Sequence, residues 1–208
     1  MGELLADEPF SPEIISTEVP FKGKIWNIRR DTFRYNGEEI TREYVDHTGA
    51  VAILALDDQD RVLLIKQYRH PVRHRDWEIP AGLLDVHGEA PLSAAKRELA
   101  EEADLQADEW NVLGEFYTTP GGNNEAIRVY LARGVHPTAA AFARSDEEAD
   151  MEVRWVPLDE VVDAILARRV QNPSLIVGVL SARVARESGW SQLAPADEPW
   201  PRHPKLGS

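Results

Sequence analysis

The sequence predicts an α/β (α+β) layered domain preceded by a small antiparallel sheet. Three observations carry this expectation: extended alternation before Val45, continuous apolar runs from Ala50 onward, and helical periodicity placed between later strand-like segments. At 208 residues the chain is the size of one domain, or one domain with a small accessory unit.

Residues 1–12 read as a loose acidic leader. From Glu13 to about Val45, β-branched and aromatic residues such as Ile25, Trp26, Ile28, Thr32, Phe33 and Tyr35 alternate with charges. Asn36-Gly37 lies between two such runs and predicts a hairpin. Next come Ala50–Leu56 and Arg61–Ile65, two apolar runs around Asp57-Asp58-Gln59-Asp60, as expected of strands buried on both faces. Further strands are expected near 77–79, 110–117, 127–131 and 151–156. Helices are expected at about 91–103 and 159–169. A third opens with Asn172-Pro173, a cap followed by a first-turn proline, and runs to about Glu187. The tail 191–208, with four prolines and few apolar residues, is expected to be poorly ordered. The chain thus divides into 1–48, 49–190 and 191–208.

Charge and composition exclude several classes. Lys and Arg number 23 against 36 Asp and Glu, a net charge of −13. Nucleic acid is therefore not the expected partner, since phosphate tracts require a basic patch. A small phosphorylated ligand remains open if metal ions supply positive charge. The absence of Cys removes disulfides, thiolate nucleophiles and Cys-based zinc sites. No apolar run approaches the ~18 residues of a membrane span, and the acidic start lacks the layout of a secretory signal. A cytoplasmic protein is expected.

The segment from Gly82 to Leu105 is the most informative. Leu92, Ala95, Leu99 and Ala103 share one helical stripe, whereas Glu98, Glu101 and Glu102 fall on an adjacent one. Arg97 lies beside Glu101 and offsets part of this charge. Like charges at such spacing each cost a few tenths of a kcal/mol. The cluster is either a solvated acidic face or a site for a divalent cation, Mg²⁺ favouring carboxylate oxygens.

Gly82, then Glu89, seven residues, and Arg97-Glu98-Leu99-x-Glu101-Glu102 together resemble the signature of the Nudix hydrolases. Two departures stand out: the loop from Gly82 to Glu89 is one residue longer than the usual form, and Asp104 occupies a position usually held by a small residue. Trp77-Glu78-Ile79-Pro80-Ala81-Gly82 before the box, Pro120 fifteen residues after Leu105, and the N-terminal sheet resemble the ADP-ribose pyrophosphatase branch. The resemblance implies a Nudix α/β/α sandwich with a mixed sheet, and a homodimer exchanging its N-terminal sheets. It also implies Mg²⁺-dependent hydrolysis (Mn²⁺ as a substitute) of ADP-ribose to AMP and ribose 5-phosphate. Glu98, Glu102 and the carbonyl of Ala81 correspond to metal ligands, with Glu101 a secondary ligand or orienting group and Arg97 a partner holding the glutamates.

In that branch the general base is a glutamate on a loop after the box. Here the loop is 145–152, with Glu147 the candidate and Glu148 its rival, the alternative being an acidic solvated loop. Arg69 and Arg42 match positions for phosphate contacts, Arg42 reaching from the partner subunit, unless either is simply a surface cation. Trp26 is a candidate for stacking on adenine, or merely packs on its neighbours. Gly82 and the loop Gly121-Gly122-Asn123-Asn124-Glu125 are expected to border the substrate. Another nucleoside diphosphate derivative, such as a nucleotide sugar or dinucleotide, is the alternative substrate. A non-catalytic ADP-ribose sensor ranks lower because the carboxylates are intact.

Overall fold

A computed structural model describes residues 5–140, 142 and 151–206, which fall into two units. The first comprises the N-terminal residues to His47 together with Thr119–Asn124. Three antiparallel strands, β1 (Glu13–Lys22), β2 (Asn27–Tyr35) and β3 (Glu38–Asp46), pair in the order β1-β2-β3. Asn36 and Gly37 close the β2–β3 hairpin at φ 52° and 82°, the left-handed pair that a tight two-residue turn demands. Along β1 every residue is exposed, including Ile14, Val19 and Phe21. The 119–124 loop is bound to β3: Val45 N–H donates to the Gly122 carbonyl at 3.0 Å, and the Asn124 side chain donates to Asp46 at 2.9 Å while accepting from the His47 N–H at 2.7 Å.

The second unit has layered architecture. Strand β4 (Ala50–Ala55) is buried along its whole length, and β5 (Arg61–Arg69) follows the Asp57–Asp60 turn. Next come β6 (His74–Glu78), β7 (Ala81–Leu83), α1 (Pro91–Ala103), β8 (Leu105–Tyr117), β9 (Ala126–Pro137), β10 (Glu152–Pro157), α2 (Leu158–Leu166), α3 (Pro173–Glu187) and β11 (Ala194–Pro195). One sheet runs β11-β8-β9-β4-β7, with β4 and β9 parallel and the other pairs antiparallel; a second runs β10-β5-β6. The period-two alternation of β4 assigns its faces. Val51, Ile53 and Ala55 pack with Ala94, Ala95 and Leu99 of α1, while Ala52 and Leu54 pack with Leu175, Val179 and Ala182 of α3. Helices thus cover both faces of a mixed sheet.

The first and third helices start and stop where their signals lie. Pro91 occupies the first turn of α1, and the Asn172 side chain accepts the Leu175 N–H at 3.0 Å to cap α3. The second helix ends earlier than expected, at Leu166. Asp104 adopts the left-handed conformation after α1 (φ 54°) that a glycine adopts at low cost. Its own contacts offset the strain, because its carboxylate accepts the Phe142 N–H at 2.7 Å and its carbonyl accepts the Thr138 N–H at 2.9 Å.

The expectation of a poorly ordered tail is corrected over residues 191–206. β11 pairs with β8 through Ala194↔Val112 and Pro195↔Asn111, and Trp200 and His203 are buried. Composition read locally misses this, since the tail's few large side chains find partners more than 65 residues away in sequence.

Candidate active site

Strand β7 and helix α1 bring the box residues together. Glu98 lies against Gly82, so closely that a methyl group on Gly82 would overlap its carboxylate. One turn on, Glu102 is only 5% exposed, and its Oε2 accepts the backbone N–H of Ala81 at 2.9 Å. The i,i+4 spacing of the two glutamates therefore points both at the same short strand. Glu101 sits farther out, its side chain 42% exposed. Sequence periodicity placed all three beside the core; packing against β7 separates a buried one from an outer one.

Arg97 neutralises this cluster through four hydrogen bonds. Its guanidinium clasps Glu89 at both ends (Nε to Oε1 3.0 Å, Nη2 to Oε2 2.9 Å), while Nη1 reaches Glu98 at 2.6 Å and Glu101 at 3.1 Å. The fork geometry of arginine suits this task, as a lysine ammonium does not. The hydrogen bond from Arg97 holds the Glu89 carboxyl below its ordinary range and outweighs partial burial; reciprocally, Glu89 raises Arg97 further above its already high value. Glu89, at the end of the lengthened loop, is a role that spacing alone did not reveal.

Among the described residues, no three His, Cys, Asp or Glu side chains stand together in a metal-holding arrangement. The fit to a divalent cation rests on donor chemistry. Glu98 and Glu102 are hard oxygen donors turned toward the strand that carries the Ala81 carbonyl, and the Gly82 cradle admits a carboxylate where any other side chain would block it. These residues suit a hard divalent cation.

Arg69, at the end of β5, donates Nε to Glu78 Oε1 at 2.8 Å and Nη2 to Oε2 at 2.7 Å; Glu78 is fully buried and was not singled out from the sequence, although a charge inside the Trp77-Glu78-Ile79 run is a signal. Both residues line a cavity of about 570 Å³ that also touches Trp77, Arg75 and Arg169. Glu125 accepts the Thr118 hydroxyl hydrogen at 2.7 Å. In the N-terminal unit, Arg42 is exposed and donates to the Thr41 carbonyl at 2.8 Å, while Trp26 stacks on buried His47 with ring centres 3.9 Å apart. One face of Trp26 is therefore already occupied. Glu147 and Glu148 lie outside the described residues.

A helix whose glutamates grip a neighbouring strand, set in a sandwich of this topology, defines a class: the NUDIX domain model matches residues 46–175, and the chain belongs to the Nudix family. Members of this family generally use a divalent metal ion. Among its relatives is an ADP-ribose pyrophosphatase of Mycobacterium tuberculosis, 45% identical over 90% of this chain and 90% of its own. An ADP-ribose pyrophosphatase of Bacillus subtilis is 36% identical over 75% of this chain and 84% of its own. A methanol dehydrogenase activator of Bacillus methanolicus is 33% identical over 86% and 94%. A crystal structure of an ADP compounds hydrolase shares the fold, with a TM-score of 0.69 and 18% identity over 88% of this chain and 99% of that one.

Proposed function

We propose that this chain is an enzyme that hydrolyses the diphosphate bond of ADP-ribose. Water adds across the P–O–P bridge, so that one phosphorus gains a hydroxyl and the other departs with the bridging oxygen, giving AMP and ribose 5-phosphate. The observation that carries this reading is the Glu98–Glu102 pair facing β7, with Arg97 holding it in place. Support comes from the two relatives named ADP-ribose pyrophosphatases.

In this reading Glu98, Glu102 and the Ala81 carbonyl hold Mg²⁺, and Glu101 orients or assists from the outer side. The bound ion supplies charge neutralisation on the diphosphate and eases deprotonation of the attacking water. Arg97 keeps Glu98 in a single orientation, as outer partners of ligands do. Arg69, held by Glu78 through two hydrogen bonds, contacts a phosphate oxygen. Glu147 or Glu148 takes the proton from water. Gly82 and Glu125 border the ligand, and Trp26 stacks on the base. Arg42 arrives from a second copy in a homodimer that exchanges N-terminal sheets, for which the exposed Ile14, Val19 and Phe21 of β1 supply apolar contact. No helix among the described residues is long and apolar enough to cross a membrane; the cytoplasm is the proposed location.

A second reading, another nucleoside diphosphate derivative, is favoured by relatives such as the GDP-mannose pyrophosphatase of an Enterobacter strain, 29% identical over 73% of this chain. The test is incubation with ADP-ribose, GDP-mannose and a dinucleotide, with and without Mg²⁺, in ¹⁸O-water with products resolved by mass. Metal-dependent release of AMP from ADP-ribose, fastest of the panel, is expected. Faster turnover of another member reassigns the substrate, and no cleavage of any member refutes hydrolysis.

A further inference from the structure

The C-terminal strap lies against the start of the strand pair that carries Ala81 and Gly82. Three anchors hold it. Ala194 and Pro195 pair with β8, and the Tyr117 hydroxyl donates to the Arg202 carbonyl at 2.8 Å. Arg128 of β9, only 2% exposed, donates to the Glu198 carbonyl at 2.7 Å and the Pro199 carbonyl at 3.2 Å, and lies 4.7 Å over the Trp200 ring. The far face of this assembly is His203, 3% exposed, its ring centre 4.7 Å from that of Trp200.

His203 is seated on Gly49. At φ 86° and with no room for a Cβ beneath the imidazole, this position accepts only glycine. The Gly49 carbonyl accepts the Leu84 N–H at 3.0 Å, and the next residues pair Ala50↔Leu83, Val51↔Gly82 and Ala52↔Ala81. The imidazole therefore presses on the turn from which the β4–β7 pairing begins.

The ring's hydrogen bonds define its protonation state. Nδ1 accepts two backbone N–H groups, from Lys205 at 3.1 Å and Leu206 at 3.0 Å. Nε2 is buried beside the Thr48 backbone without a well-formed hydrogen bond. An imidazolium carries a proton on Nδ1 and cannot accept either amide. The charged groups facing the ring are Arg128 from β9 and Lys205 from the strap, both cationic, with Arg128 partly neutralised by Glu115 of β8.

We propose that neutral His203 is a positioning residue for the β4–β7 strand pair, clamping it through Gly49, and that protonation of the ring releases the strap. Burial is the largest cause holding the imidazole below its ordinary 6.5; it outweighs the Thr48 backbone contact, which acts in the opposite direction, and Lys205 and Arg128 add to the lowering. A His whose folded value is depressed contributes stability above 6.5 and loses it as pH falls toward the folded value. The inference rests on the proposed function only in naming β7 as catalytic.

The test pairs an NMR titration of the His203 ring with hydrogen exchange of the Leu84 amide in the full chain, corrected for intrinsic exchange chemistry. Leu84 protection is expected to fall about tenfold per pH unit between 6.5 and the ring's own lower midpoint, then level off. In His203→Asn, whose side-chain oxygen replaces Nδ1 as acceptor without titrating, protection should not depend on pH. A ring that titrates at 6.5 or above, wild-type protection that stays flat through the titration, or the same acid loss in His203→Asn overturns the proposal. If His203→Asn leaves Leu84 unprotected throughout, the wild-type titration alone decides. The exchange needs no substrate, so failure of the hydrolase reading would appear separately, as missing turnover.

Discussion

Glu102 accepts a hydrogen bond from the backbone N–H of Ala81, 21 residues earlier, at 2.9 Å. This bond joins α1 to β7 and fixes one carboxylate oxygen, so the helix presents its glutamates to the strand at a set depth. Glu98, against Gly82, has the same partner strand. Replacing either by glutamine keeps the shape and removes the charge. We expect Glu98→Gln and Glu102→Gln each to lower turnover by more than the ~10–100-fold typical of residues that act one step removed from a metal, with melting temperatures close to wild type. Steady-state kinetics at saturating Mg²⁺ checks this; unchanged turnover in both variants would show that the metal assignment is wrong.

Gly82→Ala tests the cradle by steric means. The added methyl overlaps the Glu98 carboxylate, so either that side chain or β7 must move. The expected cost is about 1–3 kcal/mol, as for overpacking a dense site, accompanied by loss of activity in excess of the fraction unfolded. Denaturant melts alongside kinetics separate the two effects, and a variant of full activity would deny the close approach any role.

Arg97 and Glu89 make the acid response predictable. The Glu89 carboxyl is held below its ordinary 4.5 by Arg97, so it contributes stability above that value and loses it as pH falls through the lower folded value. Thermal melts of wild type should therefore lose midpoint below pH 4.5 more steeply than those of Glu89→Gln. Parallel curves would refute the coupling. Arg97→Lys should reduce turnover about 10–100-fold, because a single ammonium cannot span three carboxylates.

Glu78→Gln probes Arg69. The buried carboxylate holds the guanidinium with two charge-assisted bonds; glutamine offers one neutral acceptor. If Arg69 grips a phosphate alike in ground and transition states, KM should rise about tenfold, the equivalent of one charged hydrogen bond, with kcat retained. An effect confined to kcat would instead place Arg69 at the reacting phosphorus.

What could be read in advance follows the range of the interactions involved. The bounds of α1 and α3 and the Asn36-Gly37 turn rest on caps, prolines and backbone preferences acting within a few residues, so they are written locally in the chain. The Glu98, Glu101 and Glu102 stripe follows from helical period alone. Proximity in three dimensions is another matter. That Glu102 is buried while Glu101 is half exposed depends on where β7 runs, and that Glu78 rather than solvent holds Arg69 depends on the pairing of β5 with β6.

The tail marks the boundary between the two kinds of information most clearly. Its prolines and polar residues describe a segment with little local structure, and two of its described residues, Ala194 and Pro195, lie in a strand. Its order comes from Arg128, whose guanidinium needs the carbonyls of Glu198 and Pro199, and from Gly49, which accommodates His203. The sequence by itself determined the elements, the family signature and the acidic helix face, because each depends on neighbours along the chain. The tertiary structure alone decided which carboxylates are buried, which cations they hold and where the strap lies, because a buried charge is tolerated only where folding brings a distant partner within hydrogen-bond reach.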